Sequence, residues 1–97
     1  MKMRTLEDIR VTIRAMNLCI EGIRANAPIL VSMDQRRQIR ASIVAMRNDC
    51  YAIRQSDLCN SLPFKEKFEV YFNLLQITEA LIELNRKYPE IPCPSYN

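Results

Sequence analysis

Ninety-seven residues suffice for one hydrophobic core and leave no room for two independent domains. With 48% of the residues apolar and 26% charged, the chain has the balance of a folding domain and not of a disordered segment. The net charge is only +3, and the chain has no histidine and a single glycine, Gly22, inside a helical pattern; this excludes Ser/His and Cys/His nucleophile pairs, a phosphate-cradling P-loop and a dinucleotide fingerprint.

The opening stretch "MKMRTLEDIR" carries charges and no apolar run, which argues against a signal peptide. Leu6, Ile9, Ile13, Met16, Ile20 and Ile23 then recur at alternating spacings of three and four, one apolar stripe on a helix over 5–25. Thr5, with Asp8 three residues on, supplies an N-cap and an acidic group near the positive helix end. Asn26 and Pro28 mark its end.

A second helix is expected over 33–56. Ser32 with Gln35 forms a capping-box signature, and Ile39, Ile43, Met46, Cys50 and Ile53 repeat the three-four alternation. Asp57, Asn60 and Ser61 mark the turn that follows. A third helix is expected over 62–88, with Ser61 as cap, Pro63 in the first turn and Pro89 as the stop. Its seam is Val70, Leu74, Ile77, Leu81, Leu84 and Tyr88, and a second apolar row, Phe64, Phe68, Tyr71, Leu75 and Ile82, lies beside it. Three helices of similar length on short connections predict an all-α fold, an antiparallel three-helix up-down bundle forming one domain over 1–88. The proline-rich segment 89–97 is expected to be an extended tail.

The stretches "IRVTIRAMNLCIEGIR" and "IRASIVAMRNDCYAIR" repeat nearly the same phrase thirty residues apart. Helical repeat families use longer units of two or three helices, so the match reads as two helices converging on one core stripe, with an old helix duplication as the alternative. It places Cys50 at the position of Ile20 and therefore inside. Cys19 on a helix flank and Cys59 in a turn are expected to be partly exposed. The four cysteines, Cys19, Cys50, Cys59 and Cys93, form no CxxC pair and are expected as free thiols of a reducing cytosol, with no metal site and no cofactor. No apolar run approaches the roughly 20 residues needed to span a bilayer, so a cytoplasmic location is expected.

Positive charge concentrates early: residues 1–57 hold ten Lys or Arg against six Asp or Glu, residues 58–97 four against five. Arg36, Arg40, Arg47 and Arg54, spaced by 4, 7 and 7, share one flank of the second helix with Tyr51 beside them. Three roles stand open for this stripe. It can snorkel over the core edge and pair with Glu66, Glu69, Glu79 and Glu83 of the third helix. It can meet an acidic protein surface, where the arginine fork binds carboxylates bidentately. It can contact nucleic-acid phosphates, although a pI near 8.8 is weak for a dedicated nucleic-acid domain. The wide apolar face of the third helix is either core shared between two neighbours or, around Phe68, Phe72 and Leu75, a strip that buries against a partner or a second copy as a homodimer.

The expectation is a non-enzymatic helical module, an adaptor or an inhibitor of a larger protein machine, of a size and composition common among modulators from bacteria and their phages. Its partner is another protein with an acidic or apolar surface. The partner-binding residues are Arg36, Arg40, Arg47, Tyr51, Arg54, Phe68, Phe72 and Leu75. A nucleic-acid-binding accessory protein using the arginine stripe is the alternative, and a membrane partner is not expected.

Overall fold

The computed structural model describes residues 3–25 and 32–89, and their regular secondary structure is entirely α-helix. Four helices follow in chain order: α1 (Leu6–Ala25), α2 (Met33–Gln55), α3 (Asp57–Asn60) and α4 (Phe64–Lys87). The one helix beyond the three expected, α3, is a single turn where the polar stretch after Gln55 reads as a connection. The proline-rich tail, Cys93, and the connection containing Asn26 and Pro28 lie outside the described residues.

Local chemistry accounts for the helix starts. Ahead of α1 the Asp8 backbone N–H donates to Thr5 Oγ1 at 3.2 Å, and Asp8 Oδ2 accepts from the Thr5 and Arg4 backbone N–H groups at 3.0 and 2.8 Å. Donors that the helix itself leaves unpaired are thus satisfied. At α2 the box is complete: Gln35 N–H donates to Ser32 Oγ at 3.1 Å and Ser32 N–H to Gln35 Oε1 at 3.0 Å. The expectation at α4 is corrected. Pro63 is itself the N-cap, with no side-chain cap bond, because its ring sets a φ of −54° and its missing N–H has no partner to find. Ser61 instead closes α3, its backbone N–H bonding back to the Asp57 carbonyl at 2.9 Å.

The apolar stripes meet in one core. Ile9, Ile13, Met16 and Ile20 of α1, Ile43, Met46, Cys50 and Ile53 of α2, and Val70, Leu74, Ile77, Leu81 and Leu84 of α4 are all buried. Leu6, Ile23 and Ile39, at the ends of the stripes, are partly buried against it. Among the described residues no charged side chain is buried, and the buried tyrosine, Tyr88, keeps its hydroxyl without a hydrogen-bond partner there. Cys59 is a second correction: it is fully buried, because the α3 turn folds it inward. That turn hangs on Ser56, whose Oγ donates to the Ile53 carbonyl at 2.7 Å and accepts from the Cys59 N–H at 3.1 Å.

Candidate functional site

The arginine flank of α2 divides into two halves. Arg40 donates to Asn85 Oδ1 and, at 3.2 Å, to the carbonyl of Tyr88, the C-cap of α4. Arg36 donates to the Pro89 carbonyl at 3.4 Å. Both therefore place cations and donors at the C-terminal end of α4, Arg40 on its C-cap carbonyl and Arg36 on the carbonyl just beyond it. One turn or more further along α2, Arg47 and Arg54 are exposed, and among the described residues neither has a hydrogen-bond or ion-pair partner.

Two of the four α4 glutamates expected to meet this flank, Glu69 and Glu83, are drawn to α1 instead. Arg10 Nε donates to Glu69 Oε2 at 3.0 Å and its NH2 to Oε1 at 3.2 Å, a bidentate fork, and Arg24 pairs with Glu83 at 3.2 Å. The Arg10 hydrogen bond, more than any other influence, holds the Glu69 carboxyl below its ordinary pKa. Arg10 and Arg24 on the α1 side of α4 are thus matched by acids, whereas Arg47 and Arg54 on the α2 side are not.

Arg47, Tyr51 and Arg54 form one wall of a groove of about 290 Å³ between α2 and α4. Ile43, Leu81 and Ile82 give it an apolar floor and far wall, with Asn85 at one end, and no acidic residue lines it. A second groove, between α1 and α4, is lined by the Arg10–Glu69 pair together with Arg14 and Glu21, so its charge is already balanced. Tyr51 and Ile82 are exposed. Spacing alone points to Arg47, Tyr51 and Arg54, whereas the contribution of Leu81 and Ile82 depends on how α2 and α4 are seated together.

Phe68, Phe72 and Leu75 do not lie in this groove. They are 61%, 51% and 54% exposed, on the face of α4 turned away from the core, so the second apolar row is not core. Phe64, Phe68 and Phe72 form a stacked ladder with ring centroids 6.3 and 6.2 Å apart.

Burial works against the thiolate form of both core cysteines. Desolvation raises the Cys50 pKa, with the Asp49 charge adding to it and Arg54 opposing it, and desolvation also raises that of Cys59 against the pull of Lys67. Cys50 Sγ rests 3.8 Å from Met16 Sδ inside the core. Among the described residues no cluster of three or more potential ligands could hold a metal, and no helix is long and apolar enough to cross a membrane. No protein-family model, curated protein or solved structure matches the chain.

Proposed function

We propose that this chain is a small, non-enzymatic protein-binding module that docks an acidic amphipathic helix of another protein along the α2/α4 groove. The observation that carries the proposal is the unpaired Arg47 and Arg54 above an apolar floor that contains no acid. Seven residues apart on one helix, they are separated by about 10.5 Å along the axis at about 1.5 Å per residue. Two carboxylates seven residues apart on a docked helix have the same spacing. The arginine fork favours them, and an apolar side chain between them fills the groove against Ile43, Leu81 and Ile82. Tyr51, exposed at the wall, offers a flat apolar face with a polar tip, the kind of group enriched at interface hot spots.

The frame is an up-down-up bundle of three long helices. Arg10–Glu69 and Arg24–Glu83 both join residues 59 apart, so α1 and α4 run in the same sense. Arg40 near the start of α2 meets Asn85 and Tyr88 at the end of α4, which sets those two helices opposed. A module of this shape acts as an adaptor or as an inhibitor that occludes a helix on a larger machine. The free thiols at Cys19, Cys50 and Cys59 suit a reducing cytoplasm.

The test is fluorescence anisotropy with a labelled acidic amphipathic peptide of roughly 20 residues, its glutamates seven apart, at about 150 mM salt. Binding is expected, and the Arg47→Glu/Arg54→Glu variant should weaken it at least about tenfold with unchanged helix content. A peptide of the same apolar pattern with lysines in place of the glutamates should not bind. Undiminished binding by the double variant would overturn the proposal. So would tight, steeply salt-dependent binding of an oligonucleotide with none of the peptide, which would make phosphate the ligand of these arginines.

A further inference from the structure

A second surface stands apart from the groove, on the outward face of α4. Phe68, Phe72 and Leu75 form a continuous exposed apolar strip that Phe64 extends at one end, and contiguous exposed apolar patches mark contact surfaces. The charges along the strip identify what covers it. Lys65, Phe72 and Glu79 are spaced by seven and so fall on one line of the helix, with a cation at one end, a ring at the centre and an anion at the other. Lys65 and Glu79 are exposed, and among the described residues neither is ion-paired.

From this we infer that the strip is covered by a second copy of the chain, its α4 packed antiparallel on the first and the two-fold axis passing near Phe72. A two-fold axis there brings Lys65 of each chain opposite Glu79 of the other, giving two symmetry-related ion pairs that flank a centre of stacked phenylalanines and Leu75. Parallel packing would set Glu79 against Glu79 and Lys65 against Lys65, so the charge pattern selects the antiparallel arrangement. The groove wall made by Arg47, Tyr51 and Arg54 belongs to α2 and is not part of this contact, so the dimer would present two grooves. Two grooves on one particle would strengthen capture of a partner that carries two acidic helices.

The test is sedimentation equilibrium of the full chain and four variants between about 1 and 100 μM, the range in which weak dimers of this kind dissociate. Wild type should dimerise, and Phe72→Glu should be a monomer with unchanged circular dichroism, since Phe72 is already exposed in the single chain. Lys65→Glu and Glu79→Lys should each weaken the dimer about three- to tenfold, and the double swap Lys65→Glu/Glu79→Lys should return to within about twofold of wild type. A monomeric wild type at the highest concentration, or a double swap no better than the single ones, would overturn the inference. Peptide binding by a monomeric Phe72→Glu variant keeps the groove proposal separate from this one.

Discussion

Leu74→Ala is the perturbation that most directly weighs the core against the surface. Leu74 is 1% exposed at the middle of the α4 seam, whereas Leu18 on α1 is 62% exposed, so one type of truncation meets two environments. Removing three carbon groups from Leu74 forfeits about 0.8 kcal/mol each in transfer energy, about 2.4 kcal/mol in all, before any cavity is counted. The unfilled cavity brings the total to about 3–4 kcal/mol, within the range of buried Leu→Ala changes. A domain of this length has about 5–15 kcal/mol of stability, so the loss is a large fraction of it. Followed by far-UV circular dichroism in urea, with a slope of about 2 kcal/mol per molar, Leu74→Ala should lower the midpoint by about 1.5–2 M. Leu18→Ala should change it by less than about 0.3 M. Equal shifts for the two, or a Leu74→Ala midpoint within about 0.3 M of wild type at unchanged slope, would refute the packing described above.

Three further outcomes are expected. Asp8 and Glu69 have folded pKa values below their ordinary ones, Asp8 chiefly through the Arg4 backbone N–H and Glu69 through Arg10. Their contribution to stability is therefore complete above about pH 4–5 and is lost as pH falls through the folded values, and Asp8→Asn should flatten that part of a stability-against-pH curve measured by chemical denaturation. Site-resolved alkylation at about pH 8 should modify the half-buried Cys19 at least about tenfold faster than Cys50 or Cys59, whose thiols are buried and have raised pKa values; equal rates would contradict their placement. Ser56→Ala removes the cap shared by α2 and α3, should cost about 1 kcal/mol in urea, and should speed the alkylation of Cys59.

What the residues disclose on their own is local. Thr5, Ser32 and Gln35 announce two helix starts because a cap is satisfied within four residues, and the three-four alternation of Ile9 to Ile20 marks a buried face before any neighbour is known. Leu74 and Leu75 show where this stops: adjacent and identical, they point about 100° apart around α4, one into the core and one outward, which the period reveals, but whether the outer side meets anything depends on the bundle. Arg40 and Arg47 share a flank by spacing, yet one reaches the end of α4 and the other an open groove, because the register between α2 and α4 decides their partners. The same register gives Glu69 and Glu83 to Arg10 and Arg24, residues 59 positions away. Cys59 is buried for a similar reason, since one polar turn looks exposed until Ser56 bends the chain and packs it.

The most direct measurement of the groove proposal is the response of the arginine Nε–H signals in a two-dimensional nitrogen–proton spectrum as the acidic amphipathic peptide is added to the full chain. Arg47 and Arg54 should shift, and the methyl groups of Ile43 and Ile82 should shift with them in the matching carbon–proton spectrum, while Arg10, Arg24 and Arg40, already bonded within the bundle, stay in place. Shifts at Arg10 and Arg24 with Arg47 and Arg54 unmoved would place the contact on the wrong side of α4 and contradict the account.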